Sequence, residues 1–423
     1  MTPEVKNKIE QIRRGNVPER YKRTKAGIVP MEWEEKRIGD VLTQRKTLMC
    51  ISEDMQLLSF TIEEGVIEPE DKKSNKRDFL IKDMSTKKFA LTEVGDIIYN
   101  PANLKFGAIH RNNLRKGLVS PIYGIFYGAK NSHFMGQLLR TQRFIDYAKV
   151  YTEGTVEKLK TLSADTFLKL KITLPSNEEQ EKIVEILSAQ DKVIELEQQK
   201  IEELKKVKKY FLNKMFPQKG QSVPEIRFKG FMDAWEQRKL SDIADIITGT
   251  TPPTKDKDNY DGDRLFVSPA DIQGNRCIEN TITTLTEKGY ALGRELRPGT
   301  SLFVSIGSTI GKVAQIKDFG TTNQQINAVV PNDDMDDNFT FTMLENEADK
   351  IKKLSAQQAV PIINKTTFGS VEIKCPKKDE QNKIGAYFLS IDNLITLHQR
   401  KLEEEKQKKK VLMQLLLTGI VRV

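Results

Sequence analysis

The chain has 423 residues, enough for two or three domains, with 38% hydrophobic and 30% charged residues, a balance that argues against disorder. No apolar run approaches the ~18 residues of a membrane-spanning helix. A net charge of +9, from 68 basic and 59 acidic residues, favours an acidic partner, with nucleic acid the first candidate.

Residues 1–19 form a polar extension without an apolar signal core, so a cytoplasmic location and no membrane association are expected. Residues 20–176 mix apolar β-rich runs with turn-rich polar segments. "GDIIYN" (95–100) and "LVSPIYGIFYG" (118–128) read as strands, and "FMGQLLRTQRFIDYAKVY" (134–151) reads as one helix. Residues 177–216 form a long helix: Pro175 precedes it, and no proline or glycine follows from Asn177 to about Lys214. Residues 217–377 repeat the plan. "TGTTPPTKDKDNYDGD" (248–263) is a long loop, "RLFVSPADI" (264–272) and "INAVVP" (326–331) are strands, and "FTFTMLENEADKIKKL" (339–354) is a helix. Residues 378–423 hold a second long helix, from Lys378 to about Leu417, and a tail.

The chain is written twice. Trp33 and Trp235, its two tryptophans, stand 202 residues apart in matching strings, "MEWEEKRIGDVL" and "DAWEQRKLSDIA". Gly95 and Gly107 match Gly299 and Gly311 at an offset of 204. Pro175, Gln180, Asp191 and Lys200 match Pro376, Gln381, Asp392 and Lys401 at 201. Three blocks in one order at nearly one offset mean an internal duplication.

Each long helix carries a seven-residue apolar stripe: Ile183, Leu187, Ile194, Ile201 and Leu204 on the first, Ile384, Phe388, Ile391, Ile395 and Leu402 on the second. A narrow stripe on a charged helix is a coiled-coil seam. The expected architecture is mixed α/β (α+β): two similar globular domains separated by two long helices, each roughly 50 to 60 Å long at ~1.5 Å per residue. A pseudo-twofold relation between the halves would pair the helices antiparallel. The lysines of "KKVKK" (205–209) and "KQKKK" (406–410) read as solvated rod surface first and partner docking second.

Motifs that suggest catalysis fail on spacing. In "SIGSTIGKVAQI" (305–316), Gly307 and Gly311 enclose three residues rather than the four of a phosphate loop, and Val313 stands where a hydroxyl should bind magnesium. "NPAN" (100–103) imitates the Asn-Pro-Pro-aromatic motif of adenine methyltransferases but lacks the stacking ring. Three scattered cysteines (Cys50, Cys277, Cys375) and three distant histidines (His110, His133, His398) give neither a disulfide framework nor a metal site. No catalytic, metal or cofactor residue is assigned.

The strings "GFMDAWEQRKLSDIADIITGTTP", "GTSLFVSIGSTIGKV", "TTNQQINAVVP" and "P…DEQNKI" resemble the specificity subunit of type I restriction–modification enzymes. So do "GIVPMEWEEKRIGDVL", "GDIIYN…FGAI" and "LP…EEQEKI" in the first half. The resemblance covers nearly the whole chain. It implies two target recognition domains, each reading half of a bipartite, asymmetric site in double-stranded DNA, with the rod setting the unread spacer. It implies two methyltransferase subunits that methylate adenine N6 and two restriction–motor subunits. S-adenosylmethionine, ATP and magnesium belong to those partners, and this chain is non-catalytic. The alternatives are a specificity subunit of a related bipartite-site system and a coiled-coil scaffold without sequence-specific DNA contact.

Base edges are read by Arg, Lys, Asn, Gln and Ser/Thr, phosphates by Lys, Arg and backbone N–H groups. In the first domain the candidates are Lys72, Lys73, Lys76 and Arg77, then Asn103, Lys105, His110 and Arg111 beside the glycine turn. In the second they are Thr250, Thr251, Lys255 and Lys257 in the long loop, Ser308, Thr309 and Lys312 at the glycine turn, and Asn323, Gln324 and Gln325. "NPANLKF" lacks the Gly-Ser-Thr turn, so that loop's role need not carry across the halves.

Overall fold

The proline- and glycine-free first run and the second run, whose one glycine is Gly385 near its start, fold as helices Asn177–Met215 and Lys378–Leu416 in a computed structural model, which describes residues 2–25, 27–72, 87–153, 161–355 and 361–423. The chain divides into two compact units, Met1–Glu195 with Glu404–Val423, and Leu196–Glu403, so each unit owns part of both long helices. Among the described residues no helix is long and apolar enough to cross a membrane.

The duplication is visible in backbone register. In the first unit, strand Glu34–Arg37 pairs antiparallel with Lys171–Leu174, Arg37 facing Lys171. In the second, Glu236–Lys239 pairs with Glu372–Cys375, Lys239 facing Glu372. Each first strand runs into a short helical turn capped by an aspartate: Asp40 accepts from the Arg37 N–H at 2.8 Å, and Asp242 from the Lys239 N–H at 3.1 Å.

The main sheet of the first unit has the order Thr43–Gln44, Gly124–Tyr127, Ile97–Tyr99, Ile109–Arg111. The second unit repeats it as Ala244–Thr248, Ile326–Pro331, Ser301–Val304, Val313–Ile316, and adds Cys277–Ile278 as a parallel edge strand. The connecting turns match too, since Gly95 and Gly299 both have left-handed φ, at +98° and +86°.

Four sequence expectations change. Residues 134–151 form two helices, Ser132–Leu139 and Gln142–Lys149, because the Thr141 hydroxyl accepts from the Phe144 N–H and starts a second helix. "LVSPIYGIFYG" makes two strands in different sheets, Gly117–Val119 and Gly124–Tyr127. The long loop ends early, because strand Tyr260–Val267 begins inside it. That strand ends at Val267, short of Ile272, where Asp271 accepts from the Ser268 N–H and hydroxyl and closes a turn.

Both cores are aromatic and include residues of both long helices. In the first unit Phe167 lies 4.8 Å from the rings of Tyr99 and Phe126, in a cluster with Ile183, Leu187, Leu416 and Leu417. In the second, Trp235 and Phe339 lie against Phe216 in a cluster with Met215, Ile384 and Phe388. Each such side chain contributes roughly 1.5–3 kcal/mol on burial.

Within each unit the two helices run antiparallel. Asp191 meets Lys409 at 2.6 Å in the first unit while Glu179 meets Arg422; in the second, Glu197 meets His398 while Lys208 meets Asp392 at 2.6 Å. The seam is less apolar than its seven-residue stripe suggests. Ile194, Leu204, Ile395 and Leu402 are half-buried, whereas Gln190, Glu197, Lys208 and Asp392 are buried. Gln190 donates to the Glu405 carboxylate at 2.6 Å, and Glu197 takes Lys401 at 2.5 Å. Polar groups at a seam fix register at some cost in stability.

Candidate nucleic-acid interface

In the second unit, three loops meet at one end of the five-stranded sheet. The Gly249 N–H donates to the Ile326 carbonyl and the Thr250 N–H to the Thr322 carbonyl. The Ser305 N–H donates to the Gln325 carbonyl at 2.8 Å. Gly249 is required by this closeness, since a Cβ there would sit 2.2 Å from the Asn323 carbonyl oxygen.

These backbone bonds gather the side chains. The Thr251 hydroxyl donates to Gln324 Oε1, and the Asn323 amide donates to Gln325 Oε1 at 3.0 Å. Behind them runs a second polar row: Thr248 Oγ1 donates to Asn327 Oδ1, and Asn327 Nδ2 donates to Ser305 Oγ, both at 2.8 Å. Asn327 and Ser305 are buried, so this row fixes the loops from inside, while Gln324 and Ser308 are exposed. The result is a rim of amides and hydroxyls, groups able to hydrogen-bond base edges in a DNA groove.

The structure thus brings Thr250, Thr251, Asn323, Gln324 and Gln325 together. Ser308 and Thr309 join them through Gly307, where a Cβ would lie 3.7 Å from the Gln325 amide nitrogen. Lys255 and Lys257 stand exposed farther along the loop, which is tied down by the Tyr260 hydroxyl donating to the Pro252 carbonyl at 2.6 Å. Lys312 turns elsewhere: its ammonium donates to the Ile272 carbonyl at 2.9 Å. Gly307 and Gly311 have φ of +98° and +93°, so this stretch is a turn built on left-handed glycines.

The first unit builds a different rim from the equivalent strand–turn–strand. The Asn100 side chain accepts from the Ala102 N–H, and the Asn103 carbonyl accepts from the Phe106 and Ala108 N–H groups. This makes a 3-10 turn, Leu104–Phe106, ended by Gly107 at φ +88°. Asn103 and Lys105 are half-buried, and the Lys105 ammonium lies 5.3 Å from the ring of exposed Phe106.

His110 and Arg111 do not sit on that rim as surface groups. His110 is 4% exposed, with Nε2 2.7 Å from the Ile62 carbonyl, and burial pushes its pKa down to about 4. It is an interior, neutral residue that ties the hairpin Ser59–Ile67 to the sheet. Arg111 donates through Nε to Ser132 Oγ at 3.0 Å, and burial lowers its pKa. Lys72 is half-buried after a 3-10 turn, Pro69–Asp71. Lys73, Lys76 and Arg77 lie outside the described residues.

Sequence reasoning passed over Asn327 and Arg276. Asn327 was signalled as the one amide inside the apolar run "INAVVP". Arg276, buried, donates to Gln315, Asn338 and Asp392 and lies 4.3 Å from the Phe341 ring. Nothing local marked it. Its partner Asp392 also holds Lys208, which pairs with Glu345.

The two halves each match the family described as the type I restriction modification DNA specificity domain, over residues 30–206 and 232–407. The chain belongs to that family. It carries two target recognition domains, one per repeat. It is 23% identical over 422 residues to the type I restriction enzyme MjaVIII specificity subunit of Methanocaldococcus jannaschii, covering 93% of this chain and 94% of that protein. It is 23% identical over 370 residues to the HindI specificity subunit of Haemophilus influenzae, covering 71% and 80%. The crystal structure of the type I restriction–modification S subunit from M. genitalium superposes with a TM-score of 0.58 at 14% identity, over 91% of this chain and 96% of that one, a likeness of fold.

Proposed function

We propose that each target recognition domain reads one half of a bipartite, asymmetric site in double-stranded DNA. The observation that carries this reading is the contrast between the rims. One framework in the same register ends in an amide–hydroxyl cluster around Thr251 and Gln324 in the second unit, and in the Asn103–Phe106 turn in the first. Unlike rims on like frameworks suit two unlike half-sites.

The long helices set the spacer between half-sites and scaffold two methyltransferase subunits for adenine N6 methylation, with two restriction–motor subunits completing the assembly. Leu196, Leu394 and Leu397 on the helices are exposed among the described residues, and such apolar side chains support a docking role. The chain acts in the cytoplasm without catalysis of its own, and S-adenosylmethionine, ATP and magnesium act on the partners.

Methylome sequencing of cells that express this chain with its methyltransferase subunit tests the reading. The expected result is N6-methyladenine in a bipartite motif with a fixed gap. A short continuous motif, or no motif, overturns it.

A further inference from the structure

The first unit has an open cavity of about 880 Å³, bordered by the end of the N-terminal helix Pro3–Arg13, strand Gly27–Pro30, the start of helix Gln142–Lys149 and the last turns of the second long helix. Six cationic side chains line it: Arg23, Arg140, Arg143, Lys406, Lys409 and Lys410. Among the described residues no aspartate or glutamate does. Ile12, Ile28, Met413 and Ile420 supply an apolar wall between the charges.

Such a concentration of one sign costs stability. Lys406 and Lys410 are one helical turn apart, where like charges repel. Arg140 stands exposed at the mouth of the cavity, whereas Arg143 is half-buried, and lost hydration pushes its pKa down to about 10. Asp191 stands close behind the wall, at 2.6 Å from Lys409 and near Arg140. Arg143 and Arg23 donate to the carbonyls of Ile28 and Gly15, neutral groups that orient the guanidinium planes.

The second unit shows that the fold does not require this excess. Asn131 and Asp336 cap equivalent helices, and nine residues on from each cap stand Arg140 and Glu345. In the second unit Lys208 and Arg276 are balanced by Glu345 and Asp392. In the first, the position of Glu345 holds a further cation. The shortage of negative charge is therefore specific to this cavity.

We propose that the cavity binds a small organic polyanion bearing at least two phosphate groups, such as a nucleoside diphosphate. Guanidinium and ammonium groups are the phosphate-recognising side chains, the apolar wall suits an organic moiety, and the volume falls in the ~300–1,000 Å³ range of small-molecule sites. The site is independent of the DNA-reading rims and stands or falls apart from them.

The test uses the full chain, with ADP and pyrophosphate as probes at constant ionic strength, read by calorimetric titration and thermal unfolding. Saturable ADP binding that raises the melting temperature is expected. The double variant Lys406→Gln/Lys410→Gln alters two exposed side chains and should weaken that binding roughly tenfold or more. Lys255→Gln/Lys257→Gln in the second unit should leave it unchanged. Three results overturn the proposal: a response no larger than that to matched sodium chloride, equal ADP binding by wild type and the Lys406/Lys410 variant, or protection by duplex DNA with none by ADP or pyrophosphate.

Discussion

Arg227 closes two guanidinium nitrogens on the carboxylate of Glu380, at 2.7 and 2.8 Å, and Arg422 grips Glu179 through the same two nitrogens. Both glutamates are buried in the first turn of a long helix, and both arginines follow the end of the other one. The C-terminal tail thus does for the first unit what the segment after Met215 does for the second, so the repeat is circular. Glu380→Gln breaks a pair whose side chains are 2% and 12% exposed and should cost about 3 kcal/mol. Urea unfolding followed through Trp235, in a Trp33→Phe background, should show the second unit's midpoint fall. Glu179→Gln, facing a more exposed arginine that also holds Glu32, should cost less.

Asp392 holds Lys208 at 2.6 Å and Arg276 at 3.1 Å, and so ties both long helices to the strand edge of the second domain. Asp392→Asn would leave two buried cations facing Glu345 alone. A loss of roughly 3–5 kcal/mol is expected. Equal urea midpoints for wild type and variant would show the network to be dispensable.

His110 makes stability depend on pH. Its folded pKa, about 4, lies below the ordinary 6.5, so between those values the unfolded chain binds a proton that the folded chain refuses. Stability is full above pH 6.5 and falls as pH drops towards 4, by on the order of 3 kcal/mol from this group at most. His110→Gln should flatten the difference in urea midpoint between pH 7 and pH 5. An unchanged difference would place the dependence on other groups.

The long helices were legible because each is a run of nearly forty residues without proline, broken only by Gly385 near the start of the second, and their bounds agree within a residue or so. The split at Thr141 was not, because the polar run that interrupts the apolar pattern there, Arg140 to Arg143, contains neither proline nor glycine to mark a helix end. The start of strand Tyr260–Val267 was hidden by charged, exposed residues and a register shift between Tyr260 and Arg264. For the rims, "TTNQQIN" and "TGTT" announced themselves as polar strings between strands. The burial of His110 did not, since it depends on Ile62, 48 residues away. The clamps Arg227–Glu380 and Arg422–Glu179 span 153 and 243 residues, beyond any local pattern.

On the proposed function, the rim of the second domain should separate base reading from phosphate holding. Thr251 and Gln324 share a hydrogen bond and act as one unit, so Gln324→Ala should cost about 1–3 kcal/mol at one base pair and relax preference there. The half-site read by the first domain should keep its sequence. Lys255→Ala and Lys257→Ala remove exposed cations on the same loop. They should weaken binding to all sequences alike and reduce the salt slope by about one for each phosphate left without its cation. Asn327→Ala touches no base, but it releases Ser305 and Thr248 from behind the rim and should blur preference across the whole half-site. Binding of the assembled complex to a duplex library at several salt concentrations distinguishes the three classes. If Gln324→Ala changes only the salt slope, or Lys255→Ala changes the preferred base, these roles are assigned to the wrong residues.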